Sequence, residues 1–504
     1  MLSSLFNAVA LALVADVASA AAVSNVANSK TAGSTASDVF PPASTNTSLF
    51  PDESVVGFPG PTSTGKEAAA AQTAPLYPYN SGAAQSFPLA VPQPHGSSAF
   101  GDKFDITKYW GNLSPWYSVS SADYGLPEAN PLIPESCTIN QMLLLYRHGA
   151  RYPTSGAGDL TFLADWTYKL GAELLTPFGR SQNFQLGVEY RQLYGELLNN
   201  FTEQDALPVF RTQSQDRMVK TAENFAAGFF GVPEYLNQVN IEILVENSTV
   251  NNSGAPYEVC PNSNIATRGS IGSALAAKFA NNAFNATLAR LNAQVSGALN
   301  FTATDAVEML QLCSYETNAL GYSKFFAAAQ GKGFLQEWLA RFTHTYPDAT
   351  SALNKTFDNS STYFPLNQSI YADATHEVVV LDTLTAFNLT ALFHGPALSP
   401  SGNQGTNSFV ASKLVPFATH FTTQIMTCPS RNQTKQIRFL VNDAVVPVSD
   451  SHPGCPVDKD GLCGFDTMVS ILQKRVQEIN YNYDCFANYT ATPGVNYNGR
   501  APVM

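Results

Sequence analysis

Residues Gln141–Pro153 read QMLLLYRHGARYP. Met142 to Tyr146 form a nearly continuous apolar run of strand length, the pattern of a central strand covered on both faces. The run stops at Arg147-His148-Gly149, and Arg151 and Pro153 follow at once. Two guanidiniums and an imidazole at the mouth of a hydrophobic strand are costly to bury unless an anion meets them there. In open α/β sheets the crevice beyond the carboxyl ends of the strands is where ligands bind. The stretch therefore predicts an α/β fold with an anion site at the end of its central strand.

Two other segments repeat that logic. Leu207–Phe210 predicts a short strand ending in Arg211, which would share a pocket with Arg147 and Arg151 if the strands are neighbours. A helix is expected from about Asp216, with Arg217 and Lys220 reading as solvent-facing or supporting groups. Ile370–Ala374 predicts a third strand, followed by Thr375-His376-Glu377 and an apolar run from Val378 through Phe393. With Thr375 as N-cap, His376 and Glu377 fall in the first turn of a helix, where backbone amides face an anion.

Around these lie the supporting elements. Leu160–Leu174 reads as a short helix, and Thr176-Pro177 as an N-cap with proline opening a helix that runs to Tyr194. Lys435–Val448 predicts a hairpin turning at Asn442-Asp443, and Asp466–Ile479 a last amphipathic helix. Residues 222–360 are mostly helical in pattern, through SIGSALAAKFANNAFNATLARL, FTATDAVEMLQLCSYETNAL and FLQEWLARFTHTY. They predict an α-rich insertion between two parts of an α/β domain, 101–221 and 361–504.

The chain has 504 residues, 44% of them apolar, and 27 basic against 39 acidic side chains give a net charge of −12. Such a balance argues against nucleic acid or an anionic membrane as partner. Residues 1–20 carry an apolar stretch too short to span a bilayer and end in Ala18-Ser19-Ala20, the pattern of a signal peptide. Residues 21–100 are rich in Ala, Ser, Thr and Pro and read as a flexible leader and arm. Thirteen N-x-Ser/Thr sequons and seven cysteines add to the expectation of a secreted, extracellular glycoprotein. Cysteine pairing is not legible from spacing alone, although Cys455 and Cys463 are placed to close a tight loop. There is no CxxC and no Cys/His cluster of zinc spacing, so neither a metal nor a cofactor is expected.

Phosphoryl transfer needs a nucleophile, cationic clamps on the equatorial oxygens and an acid for the leaving oxygen. His148 suits the first role, Arg147, Arg151 and Arg211 the second with His376 as a further donor, and Glu377 the third. A carboxyl beside a bound phosphate is expected to keep its proton in mild acid.

RHGARYPT, with LTPFG at Leu175–Gly179, resembles the histidine acid phosphatases and looks most like their fungal phytase branch. The resemblance covers about residues 101–495. It implies a phosphoglycerate-mutase-like mixed sheet flanked by helices, and a phosphohistidine intermediate on His148. It also implies phosphate binding by Arg147, Arg151, Arg211 and His376, with inositol hexakisphosphate or simpler phosphate esters as substrate. The family's usual His-Asp is His376-Glu377 here, which lengthens the expected proton donor by one methylene. The same resemblance implies disulfides Cys137–Cys428, Cys260–Cys485 and Cys455–Cys463, and leaves Cys313 unpaired. Strongly phytate-directed members tend to carry lysines just beyond the motif, whereas this chain has none until Lys169. A broad-specificity phosphatase is the alternative on that ground. A mutase-like phosphotransferase and a non-catalytic glycoprotein are the more distant readings, and the oligomeric state is not legible.

Overall fold

A computed structural model describes residues 106–152, 173–265, 267–269, 289–290, 293, 324–347, 352–394 and 408–490, all within the unit Val39–Met504. The expected signal peptide and leader, Pro153, most of the helix at Leu160–Leu174, nearly all of the first two helical segments of the insertion, and Cys313 lie outside the described residues.

The main elements in chain order are β1 (Thr138–Arg147), α1 (Pro177–Tyr194), β2 (Val209–Gln213), α2 (Asp216–Phe230), β3 (Asn240–Leu244), α3 (Lys324–Thr343), β4 (Ile370–Thr375), α4 (Glu377–Ala386), β5 (His420–Thr427), β6 (Lys435–Val441), β7 (Ala444–Val445), β8 (Cys463–Gly464) and α5 (Phe465–Glu478). They form one mixed sheet of order β3-β2-β4-β1-β5-β6-β7, with β8 pairing β6. The strands from β3 to β1 are parallel, and β5, β6 and β7 continue the sheet antiparallel. The apolar run Met142–Tyr146 is thus central and wholly buried.

Alternation along β1 sends its side chains to two cores. Met142, Leu144 and Tyr146 meet Phe184 and Leu186 of α1 and Phe225 and Phe229 of α2. Leu143 and Leu145 meet Trp338 and Phe342 of α3 and Val380 and Leu384 of α4. Helices on both faces explain why the strand is apolar throughout rather than alternating. The described helix of the expected insertion, α3, shares the sheet's own core: the Trp338 indole donates to Thr423 Oγ1 at 3.0 Å and packs edge-on against Phe387.

Local chemistry sets the boundaries. Thr176 caps α1 by accepting from the Gly179 amide, with Pro177 at the first helical position. The turn between β6 and β7 has positive φ at both Asn442 and Asp443, 47° and 72°, as a two-residue hairpin of the right hand requires. Thr375 departs from expectation. It stays in β4, opposite Arg147 in the ladder, and its hydroxyl donates to Gly254 O, so His376 is the N-cap of α4. Disulfides join Cys137 to Cys428, Cys260 to Cys485 and Cys455 to Cys463, the pairs the resemblance implies. The first ties the start of β1 to the end of its neighbour β5.

The loop after β1 is clamped onto α1. A Cβ on Gly149 would lie 2.1 Å from Gly179 O, and one on Gly179 would lie 1.9 Å from Ala150 O. Thr176 donates to Ala150 O through both its amide and its hydroxyl, at 2.9 and 3.0 Å. Gly179→Ala should therefore push the loop off the helix. We expect destabilisation of about 1–3 kcal/mol, read as a lower thermal midpoint.

Candidate active site

The carboxyl edge of β1 and β4 collects the reactive groups. The His148 amide donates to Thr375 O and its carbonyl accepts from Ala418 N, so both neighbouring segments pin the residue. Its Nδ1 lies 2.9 Å from Gly149 O. A carbonyl can only accept, so Nδ1 carries the proton and Nε2 presents a lone pair. Burial first, then the adjacent Arg147 charge, hold this imidazole well below its ordinary pKa. The ring is neutral and nucleophilic.

Arg147 is fully buried. Its Nη1 donates to Asn112 O and to Val415 O, and its guanidinium lies 4.4 Å over the Phe417 ring. Nε stands 3.1 Å from Glu377 Oε2, and Nη2 has no hydrogen-bond partner. Burial lowers this arginine to about 10 even with Glu377 opposing, which marks a cation short of compensation. Glu377, the first residue of α4, also lies 3.8 Å from His148 Nε2. Burial favours its neutral form, but the adjacent Arg147 charge outweighs it and holds the carboxyl well below the carboxylate range. Glu377 is therefore held anionic in the free site, whereas the protonated acid expected from the sequence belongs to the phosphate-bound site.

Arg151 pairs across a short bridge with Leu175 and donates to Tyr152 O at 3.0 Å. Arg217, from the first turn of α2, lies close enough for its charge to lower the pKa of both Arg147 and Arg151. It is mostly buried, its Nε has no hydrogen-bond partner, and its Nη1 meets the half-exposed Glu173 at 3.4 Å. The His376 ring packs edge-on to His148, centroids 5.7 Å apart, and its Nε2 is 3.2 Å from Glu246 Oε2. The site thus holds one neutral imidazole with a free lone pair, three arginines, a second histidine and a carboxylate at a helix N-terminus.

The chain matches the model of the histidine phosphatase superfamily (branch 2) over residues 138–328 and 321–442. The chain belongs to that superfamily. Among curated relatives it is similar to Phytase A of Neurospora crassa, 27% identical over 73% of this chain and 90% of the relative. Phytase A of Aspergillus oryzae is 27% identical over 76% of this chain and 91% of the relative. Its fold is similar to the crystal structure of the phytase from D. castellii, with a TM-score of 0.56 at 21% identity, covering 80% of this chain and 92% of that one. The phosphoglycerate-mutase-like architecture and the fungal phytase branch are therefore the chain's own, and it is an enzyme of the histidine acid phosphatase type.

Within this histidine phosphatase, Arg211 does not join the pocket. β2 continues past it to Gln213, and Arg211 pairs with Asp373, the residue level with Leu145 rather than with Arg147. It therefore sits two residues, roughly 6–7 Å, short of the edge. Its Nε and Nη2 donate to Asp373 at 3.0 and 2.8 Å, and Nη2 also to Glu337 Oε2 at 2.6 Å. Arg341 grips the other side of Asp373 at 2.5 and 3.2 Å. Burial alone would lower Arg211, but Asp373 and Glu337 raise it well above its ordinary value. It is a cation held in a buried ion-pair network, whereas Arg217 is the arginine whose charge reaches Arg147 and Arg151. The signal for Arg217 in the sequence is its place as the second arginine of the run Arg211–Arg217, in the first turn of α2.

The network around Arg211 holds four carboxyls against two guanidiniums. Burial, followed by neighbouring carboxylates, pushes Asp358 up to about 8. Burial likewise pushes Glu242 up to about 8, against the pull of Arg211. Both ordinarily titrate near 4, so between pH ~4 and ~8 the unfolded chain releases protons that the folded chain keeps. Stability from these groups is full in acid and declines as pH rises through that window, by about 1.4 kcal/mol per pH unit for each group at most. Glu242→Gln and Asp358→Asn should raise the thermal midpoint relative to wild type at pH 7 and leave it nearly unchanged at pH 4. Equal shifts at both pH values would contradict the assignment.

Proposed function

We propose that this chain is a secreted acid phosphomonoesterase that works through a phosphohistidine on His148, with phytate as the favoured substrate. The observation that carries the reading is the His148 tautomer: Nδ1–H is spent on Gly149 O, so Nε2 keeps its lone pair, on the side of the Arg147–Glu377 pair. Nε2 would attack phosphorus while Arg147, Arg151 and Arg217 hold the equatorial oxygens through charge-assisted forks. His376 would add a donor. The alcohol leaves with a proton, and water then cleaves the P–N bond to release phosphate and restore the imidazole.

Glu377 supplies that proton by a route consistent with its anionic state. A phosphomonoester has a second pKa of ~6, so in mild acid it enters as the monoanion. Its proton passes to Glu377 as the arginines turn from the carboxylate to the phosphoryl group, and then to the leaving oxygen. Activity should fall as the substrate loses this proton above pH ~6, while Glu377 itself sets a limit only in strong acid. The disulfides fit an oxidising compartment.

A broad-specificity reading has its own support. Arg217 shares its charge with Glu173, and no lysine stands just beyond the motif. A rim with fewer free cations discriminates less in favour of a polyanion.

The decisive test is phosphate release from phytate and from an aryl phosphate between pH 3 and 7. His148→Ala should abolish both, and acid-labile, base-stable label should be trapped on the wild type alone. Arg217→Ala should lower kcat/KM by roughly tenfold to a hundredfold, as loss of a charge-assisted contact would, with the fold retained. Arg211→Met should instead act chiefly through stability. Glu377→Gln should slow alkyl esters far more than activated aryl esters. Full turnover of alkyl esters by that variant would remove Glu377 from the mechanism.

A further inference from the structure

Glu246 stands two residues past the end of β3, and no part of the phosphoryl chemistry above calls on it. Its side chain is almost fully buried. One oxygen, Oε2, collects His376 Nε2 at 3.2 Å, Gln215 Nε2 at 2.8 Å and the Tyr257 hydroxyl at 3.0 Å. Oε1 lies 3.4 Å from the Gln215 amide, and the Glu246 amide donates to Ser214 Oγ at 3.0 Å. These contacts belong to two of the segments that build the pocket. Ser214 and Gln215 lead directly into Asp216 and Arg217, and His376 caps α4 immediately before Glu377. Tyr257 also packs edge-on to the His376 ring, centroids 6.0 Å apart.

The contact with His376 has a chemical consequence. A carboxylate can only accept, so Nε2 must carry a proton, and Nδ1 is left as the ring nitrogen not engaged by Glu246. A neutral His376 would then present only a lone pair at Nδ1, which repels a phosphoryl oxygen. The imidazolium presents Nδ1–H, a charged donor. The charged and titratable groups facing this ring are Glu246, Tyr257, His148 and Glu377. Of the two carboxylates, Glu377 is already paired with Arg147, which leaves Glu246 as the counter-ion of His376. Burial opposes the charge on Glu246, but His376 and the Tyr257 hydroxyl keep it below its ordinary pKa.

We propose that Glu246 is a positioning residue: it holds His376 in the doubly protonated form with Nδ1–H available to the phosphoryl group, and through Gln215 it fixes the turn that delivers Arg217. It acts through these residues and does not itself touch the substrate. The inference rests on the phosphatase reading for its effect on turnover, but not for its effect on His376.

Two measurements separate those dependencies. The first is the pKa of His376 in wild type, Glu246→Gln and Tyr257→Phe, followed by NMR of histidine-labelled protein, with His376→Asn giving the assignment. Glu246→Gln should lower it by a unit or more, since a buried neighbouring charge commonly shifts a pKa by ~1–3 units. Tyr257→Phe should lower it less or not at all. The second is the pH profile of kcat/KM on an aryl phosphate. Glu246→Gln should cut the maximum by roughly tenfold to a hundredfold and bring the fall in activity below the pH ~6 at which the substrate's own proton is lost, with Glu246→Asp restoring part of both. An unchanged His376 titration in a folded Glu246→Gln variant overturns the proposal whether or not the wild type is a phosphatase. If Glu246→Gln fails to fold, a Glu246→Asp profile identical to wild type in limb and maximum, with its shorter reach, overturns it equally. A wild type inactive on every ester, with His376 shifting as expected, would sink the phosphatase reading and leave Glu246 as the counter-ion of His376.

Discussion

A guanidinium buried at the end of a central parallel strand is the constraint from which the site follows. Arg147 has no exposed surface, and desolvating such a charge costs several kcal/mol even after the protein relaxes around it. The fold answers with two backbone carbonyls, the face of Phe417 and the carboxylate of Glu377. That answer is incomplete: Nε meets Glu377 as an ion pair without a formed hydrogen bond, and Nη2 meets no partner. A buried donor left without a partner is what a bound phosphoryl oxygen would complete, so the same shortfall that costs stability creates affinity.

The contrast with Arg211 makes the point general. Both arginines are buried and on neighbouring parts of the same sheet. Arg211 is met by Asp373 and Glu337 and is raised above its ordinary pKa, whereas Arg147 is lowered. Over-compensation marks a cation that holds a structure together, and under-compensation marks one kept ready for an anion. In this chain the carboxylate excess around Arg211 goes so far that two acids must stay protonated. The folded chain tolerates that arrangement best in acid, the same range in which a monoanionic phosphate ester would bring its own proton.

The legible parts of the fold were those written in local chemistry. The apolar run before Arg147, the Thr176-Pro177 start of α1, and the Asn442-Asp443 turn each report a backbone requirement that few residue types meet. Two misreadings concern how far a strand runs. Thr375 reads as an N-cap because threonine favours that position, but its partner across the ladder is Arg147, and the pairing keeps it in β4. Arg211 reads as a strand terminus because Leu207–Phe210 is the apolar part, yet Thr212 and Gln213 continue the strand while buried. A shift of two residues preserves the face and changes the depth, which moved the arginine from the rim to the interior. Glu337 and Arg341 lie one turn apart on α3, a spacing the sequence does show, but no pattern in the sequence brings that helix face to Asp373 in β4.

Glu377 stands in place of the usual aspartate. A longer carboxyl at the N-terminus of α4 reaches back to Arg147 Nε at 3.1 Å while staying 3.8 Å from His148 Nε2. It can therefore neutralise the clamp without capturing the nucleophile, because a hydrogen bond needs roughly 3.2 Å or less and the imidazole remains outside that reach. A carboxylate bound that tightly to an arginine is a poor acid until an anion competes for the arginine. In the proposed mechanism the group that displaces it is the phosphoryl group itself, so proton delivery and phosphate binding would be one event. An acid made available only by substrate binding would have no need of a raised pKa in the free enzyme, so the depressed carboxyl of Glu377 is compatible with the proposed role.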